Sequence, residues 1–260
     1  MIKAVFCDVD NTLTSPITRA IPTSALEAIH RARRNGVKVF VATGRQTRTY
    51  EEGNILQGIE LDGYVAVNGQ LCYLPDETIV HKAVLDPQDV TVMLQLAQQM
   101  NFACCLVETD KIYLTAIDEN VRSFHELIKI PLPAVTSAEG AESRDVLSIA
   151  PYINYETEKL IIPHLNNSEI VRFNPYNCDV IPREGGKDVG MQAILDYFGV
   201  PIEQAMAIGD GQNDINMLKA AGIGVTIGQC SPEVMAAADY HAPEADEDGI
   251  WHTFEKFGII

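Results

Sequence analysis

The chain opens on a short, mostly apolar run over residues 2–7, of the length and character of a strand buried on both faces. Polar and apolar positions then recur at helical spacing over residues 24–35, with Thr23 or Ser24 as the cap and Gly36 at the stop. A second apolar strand over 37–42 ends at Thr43-Gly44-Arg45, and a polar helix is predicted over about residues 46–57. A third strand over 64–67 ends at Asn68-Gly69. Residues 70–74 and 78–84 bracket Pro75-Asp76-Glu77, which predicts a hairpin.

The middle of the chain has another rhythm. Asp86-Pro87 starts a helix that runs to about residue 100. Strands over 103–107 and 111–115, a helix over 118–130, a strand over 147–150, a helix over 155–165 and strands over 170–173 and 178–181 follow. Residues 83–182 therefore read as an inserted α/β domain between two halves of a core, 1–82 and 183–260, with hinges near 82–86 and 181–186. After Lys187 the first rhythm returns: helix 188–198, strand 205–208, helix 215–221, strand 224–227, helix 232–238 and a last helix over 251–257. Strands alternating with helices predict an α/β fold, a Rossmann-like doubly wound parallel sheet. The inserted cap is expected to form a lobe over the strand ends.

Ligand sites in such sheets lie outside the carboxyl ends of the strands. Four strand ends or adjacent loops carry chemistry here: Asp8 and Asp10, then Thr43-Gly44-Arg45, then Lys187, then Asp210 with Asn213 and Asp214. Asp8 and Asp10 start on one face of a strand, where two carboxylates repel and burial disfavours both charges. A metal cation, or a division of labour between nucleophile and acid, would justify the arrangement. Phosphoryl transfer needs this set, because a carboxylate must approach an anion and the repulsion must be cancelled. Asp8 and Asp210 suit Mg²⁺, and Lys187 offers a point charge. Thr43 offers a hydroxyl, Gly44 a close backbone N–H, and Asn213 amide donors at a helix start. Asp10 can protonate the leaving alkoxide and later deprotonate water.

Composition narrows the partners. The 260 residues carry a formal net charge of −17, which argues against nucleic acid and anionic membranes. An anionic small substrate remains compatible, because a metal and a few cations reverse the potential locally. No apolar stretch reaches the length of a membrane span and no leader is apparent, so a cytoplasmic address is expected. The six cysteines show no metal-finger spacing and read as buried free thiols. The six histidines are scattered and none is assigned to catalysis.

With these residues in place, the sequence resembles the haloacid dehalogenase superfamily of phosphatases, in its Cof-type branch. Four motifs correspond in order: D-x-D-x-T-L at residues 8–13, Thr43, Lys187 before a helix, and G-D-x-x-N-D at residues 209–214. Asn68-Gly69 corresponds to an N-G pair of the branch, and the middle segment is similar to its cap. The resemblance implies a Mg²⁺-dependent phosphatase acting on a small phosphorylated metabolite, a sugar or related phosphate. Asp8 would be the nucleophile that forms an aspartyl-phosphate. Asp10 would be the acid/base, with its backbone carbonyl on the metal. Thr43 and Lys187 would hold the phosphoryl group. Asp8 and Asp210 would ligate Mg²⁺, with Asp214 close behind or through water. Asn213, Asn68 and Gly69 would line the phosphate pocket. Two positions depart from the branch: Asn11 and Asp188 stand where Gly is common.

Arg45 is open to two readings, a contact to the phosphate or its sugar, and a surface salt bridge. Arg183 and Glu184 read as a hinge salt bridge, and Asp246-Glu247-Asp248 as a solvated loop. The rivals are a phosphomutase on the same scaffold, a receiver-type phospho-accepting module, and a non-catalytic phosphate-binding protein. A mutase needs basic cap residues for a second phosphate, and Arg122, Arg144 and Arg172 do not cluster in sequence. A receiver would be about half this length.

Overall fold

The computed structural model describes residues 1–46, 56, 59–128, 131–172 and 174–260. The helix expected over about 46–57 falls almost entirely outside the described residues. In chain order the strands and helices are β1 (Ala4–Cys7), α1 (Thr23–Arg34), β2 (Lys38–Ala42), β3 (Gly63–Ala66), β4 (Leu71–Tyr73) and β5 (Ile79–Lys82). Next come α2 (Pro87–Met100), β6 (Cys104–Glu108), β7 (Ile112–Leu114), α3 (Glu119–Ile128), β8 (Val146–Pro151), α4 (Tyr155–Ile161), β9 (Ser168–Arg172) and β10 (Cys178–Pro182). The chain closes with α5 (Lys187–Phe198), β11 (Ala205–Gly209), α6 (Ile215–Ala220), β12 (Ile223–Ile227), α7 (Pro232–Met235), β13 (Tyr240–Ala242) and α8 (Gly249–Lys256). It divides into two compact units, one of residues 1–82 and 186–260 and one of residues 83–185.

In the first unit eight strands lie in the order β13-β12-β11-β1-β2-β3-β4-β5. The first six are parallel, and β3-β4-β5 form the antiparallel edge expected of the hairpin. β1 is the seam from which β2 and β3 run one way and β11, β12 and β13 the other. This is the doubly wound order, in which the crevice opens beside the strand where the direction reverses. Alternation along β1 explains why helices cover both faces. Val5 and Cys7 pack with Ala28, Ile29 and Phe254 of α1 and α8, and Ala4 and Phe6 pack with Met191, Ile194 and Leu195 of α5.

In the second unit five antiparallel strands lie in the order β7-β6-β8-β10-β9. Its core joins Val90, Met93 and Ala97 of α2 and Ile161 of α4 to the strand residues Cys104, Leu106, Ile149 and Val180. Asp86 caps α2 by accepting from the Gln88 N–H, with Pro87 in the first turn. Two arginines of this unit are engaged internally. Arg144 binds Glu108 and Tyr113, and Arg172 binds Glu158 and the Asn174 and Asn177 carbonyls.

Several local expectations shift. α1 begins at Thr23 with Pro22 before it, so neither Thr23 nor Ser24 caps it through a side chain. The helix expected over 232–238 ends at Met235. β13 is an added edge strand, too short at three residues to show a pattern. Arg183 donates to the Ser168 carbonyl, and Asp246 accepts from the Ser15 hydroxyl. The six thiols are free, and all but Cys230 are buried. No helix among the described residues is long and apolar enough to cross a membrane.

Candidate active site

Every sequence-predicted site residue lies in the first unit, at or near the carboxyl ends of its parallel strands. β1 and β11 are neighbours in register, Cys7 beside Ile208, so Asp8 and Asp210 leave adjacent strand ends. The Asp8 N–H donates to the Ile208 carbonyl, prolonging the ladder by one bond at 2.8 Å. Beyond Asp8 the chain turns through Asn11, which sits in the left-handed region at φ 58°. Asn tolerates that conformation better than other non-glycine residues, so the usual Gly is dispensable there.

Lys187 is the first residue of α5 and its side chain is completely enclosed. Its ammonium donates to Asp8 Oδ1 at 2.5 Å and to Asp214 Oδ1 at 2.6 Å. Burial opposes its charge, but Asp214 and Asp8 outweigh burial and hold the ammonium above its ordinary range. Asp8 Oδ2 accepts no hydrogen bond from the described residues. Asp214 uses its other oxygen to accept from the Asp210 and Gly211 N–H groups at 3.1 and 2.9 Å. It therefore shapes the loop that presents Asp210. Asp188 takes no part in neutralising Lys187. It lies in the first turn of α5, with Oδ1 against Gly186.

Asp210 is oriented by residues to which the sequence reading gave no role. The Thr12 hydroxyl donates to Oδ1 at 2.9 Å and the Asn11 amide to Oδ2 at 3.4 Å. The signal was present, since Thr12 belongs to the first motif. Carboxylate oxygens of Asp8, Asp210 and Asp214 lie within 4.8 Å of one another. Burial first, then Asp214 and Asp210, push the Asp8 carboxyl well above the usual carboxylate range, against the pull of Lys187. Burial and Asp214 raise Asp210 to about 6, against Thr12 and Lys187. Three carboxylates thus share one enclosed ammonium, and the two nearest the strand ends resist ionisation.

The Asp10 carboxylate stands outside this cluster and is gripped by Arg45 through Nε and Nη2. Thr43 is buried at the end of β2, and its hydroxyl accepts from the Arg45 N–H at 3.1 Å. Asn68 is buried between Gly44 and Asn213. A Cβ on Gly44 would sit 3.0 Å from Asn68 Oδ1, which accepts from Asn213 Nδ2 at 3.0 Å. The turn that carries Asn68 has consecutive positive φ values, 51° at Val67, 52° at Asn68 and 95° at Gly69. A β-branched residue there is a genuine outlier, and such strain concentrates at working sites.

Gly69 meets the start of α5 so closely that a Cβ on it would lie 1.9 Å from the Gly186 carbonyl oxygen. Gly190, one turn into α5, would place a Cβ 2.6 Å from Val65 Cγ1 and 3.0 Å from Gly69 Cα. These contacts let α5 approach the strand ends and carry Lys187 in. The sequence reading missed Gly190. Its signal is a glycine inside a helical pattern, which costs stability and so calls for a packing reason.

A family model described as haloacid dehalogenase-like hydrolase matches residues 5–254. Over 250 residues the chain is 26% identical to the 5-amino-6-(5-phospho-D-ribitylamino)uracil phosphatase YcsE of Bacillus subtilis (strain 168), covering 96% of this chain and 93% of that protein. Among solved structures it is similar to the phosphatase BT1666 of Bacteroides thetaiotaomicron, with a TM-score of 0.92, 31% identity, and 100% and 96% of the two chains covered. The subclass IIB sugar phosphatase BT4131 superposes with a TM-score of 0.87 at 35% identity, covering 99% of this chain and 100% of that one.

Proposed function

The chain belongs to the haloacid dehalogenase-like hydrolase family, and from that premise we propose that it hydrolyses the monoester of a small sugar or polyol phosphate through a phosphorylated Asp8, with Mg²⁺ bound by Asp8 and Asp210. It is a phosphatase of that superfamily. One observation carries the mechanism: a buried carboxylate with one oxygen held by Lys187 and the other open, two residues before an acid/base candidate. In the first step an Asp8 oxygen attacks phosphorus while the bond to the ester oxygen breaks, and Asp10 gives that oxygen its proton. In the second step water attacks the same phosphorus, Asp10 takes a proton from it, and the bond to Asp8 breaks. Thr43, Asn68 and Asn213 offer hydrogen bonds to the phosphoryl oxygens, and Lys187 keeps the nucleophile aligned.

The donor set fits a hard divalent cation. Its clustered side chains offer only carboxylate oxygens, and one ammonium does not balance three acids. Asp8 and Asp210 would hold the cation. Asp214 has both oxygens engaged by the protein and acts from behind, and Asp10 would contribute its backbone carbonyl. When bound, Mg²⁺ supplies charge neutralisation between nucleophile and phosphate.

The substrate class follows the relatives, one named for a sugar phosphate activity and one for a phosphoribityl compound. A mutase would need a cluster of free cations for a second phosphate; of Arg122, Arg144 and Arg172, the last two are already paired with Glu108 and Glu158, which leaves Arg122 without a companion among them. The test is a release assay for inorganic phosphate with purified protein, MgCl₂ and a panel of phosphomonoesters. Hydrolysis of sugar or polyol phosphates is expected, lost with EDTA and with Asp8→Asn. Turnover that survives Asp8→Asn would remove the covalent route.

A further inference from the structure

Arg45 sits 35 residues from Asp10 in sequence, yet its guanidinium meets both Asp10 oxygens through Nε and Nη2. An ordinary surface ion pair has two solvated partners and contributes little. Here the arginine side chain is 19% exposed and the carboxylate 45%, so the cation is the more enclosed partner. Its backbone is fixed at both ends. The Arg45 N–H donates to the Thr43 hydroxyl at 3.1 Å, and its carbonyl accepts from the Val67 N–H at 2.9 Å, in the strained turn that carries Asn68. A planar fork fixes the plane of the carboxylate it binds, which a lysine ammonium does not do. It occupies one lone pair of each carboxylate oxygen and leaves the other available.

We infer that Arg45 is the positioning residue of Asp10: it holds the carboxylate plane so that a free lone pair meets the leaving oxygen and then the attacking water, and it is not a phosphate contact. The inference rests on the acid/base reading of Asp10 given above. It assigns one loop two tasks, since in the proposed function Thr43 holds the phosphoryl group while Arg45, whose N–H is bonded to the Thr43 hydroxyl, sets the proton-transfer group. The Nε–Nη2 edge of the guanidinium is spent on Asp10, so a phosphate could take that edge only by freeing the one group whose aim matters.

The experiment measures kcat and KM for Arg45→Ala, Arg45→Lys, Asp10→Asn and the double variant Asp10→Asn/Arg45→Ala. Substrates are aryl phosphates running from 2,4-dinitrophenyl to phenyl phosphate, and inorganic phosphate serves as the competitive inhibitor. Protonation matters only for the poorer leaving groups. Arg45→Ala is expected to lose about 10–100-fold in kcat on phenyl phosphate, part of the usual contribution of general acid catalysis, and about threefold or less on the dinitrophenyl ester. Inhibition by phosphate should be unchanged, and Arg45→Ala should cost nothing further in the Asp10→Asn background. Arg45→Lys keeps the charge without the fork and should show the same trend in weaker form; it carries the test if the alanine variant does not fold. A uniform loss across the series, a parallel weakening of phosphate inhibition, or a full additional loss in the double variant overturns the inference. If Asp10→Asn itself gives a uniform loss, the acid/base reading fails first, and the inference falls with it.

Discussion

Replacing Lys187 with Met removes an enclosed cation while nearly keeping its volume. The ammonium lies 2.5 Å from Asp8 and 2.6 Å from Asp214. With an effective dielectric near 20, each contact is worth roughly 6 kcal/mol of gross attraction, offset in large part by the cost of dehydrating three charges. The loss on deleting one partner of such a buried pair is about 3–5 kcal/mol, because an uncompensated charge stays behind. At about 2–4 °C per kcal/mol, the metal-free variant should melt roughly 10 °C below the parent at pH 7.5. The loss should depend on pH. Burial and the neighbouring acids already raise Asp8, and Lys187 is what pulls it back. Without that pull Asp8 takes its proton at higher pH. The stability of its neutral form is present at low pH and disappears as pH rises through the folded pKa, so the deficit should shrink toward pH 5. Thermal and urea unfolding in EDTA, from pH 5 to 8.5, measure this. A loss under about 1 kcal/mol that does not vary with pH would refute the reasoning, since an enclosed ion pair with two partners cannot be so cheap to break.

Two further outcomes follow from the same geometry. Asp210 is raised to about 6 from an ordinary 3.8, so in metal-free protein its ionisation costs about 3 kcal/mol at neutral pH, a cost absent below pH 4 and complete above pH 6. Asp210→Asn should therefore raise the melting temperature in EDTA at pH 7.5, with a gain that fades toward pH 5, while abolishing stabilisation by MgCl₂; a lower melting temperature at pH 7.5 would contradict the burial argument. Gly190→Ala adds a Cβ 2.6 Å from Val65 Cγ1 and 2.8 Å from Cys72 Sγ. It should cost about 1–3 kcal/mol despite the better helix propensity of alanine, as read by urea unfolding, and a stabilised variant would show that α5 has room to move.

The long periodic elements were legible because burial on one or both faces fixes their pattern. The run before Asp8, the α2 cap and the edge hairpin all fall within a few residues of their expected places. The grouping of Asp8, Lys187, Asp210 and Asp214 follows from strand ends and topology, which the alternation of elements encodes. Side-chain pairing was not legible in the same way. Nothing local in the sequence says that Arg45 turns to Asp10, or that Asp214 spends both oxygens on Lys187 and the Asp210 loop. Those partners are chosen by distance and enclosure across elements far apart in the chain. β13 escaped for a different reason: its three residues, Tyr240, His241 and Ala242, carry no apolar run to mark a strand.

The division of the chain at residues 82–83 and 185–186 has a consequence for inheritance. All eight strands of the larger sheet, and each acidic, basic and amide group discussed above for phosphoryl chemistry, are encoded outside residues 83–185. The intervening hundred or so codons build a core of their own, around Met93, Leu106 and Ile149. Drift in that stretch is tolerated as long as its own core closes, and it does not alter the primary structure of the reacting groups. A gene of this layout has two joints at which the intervening stretch can be exchanged while the residues of the larger sheet are left unchanged.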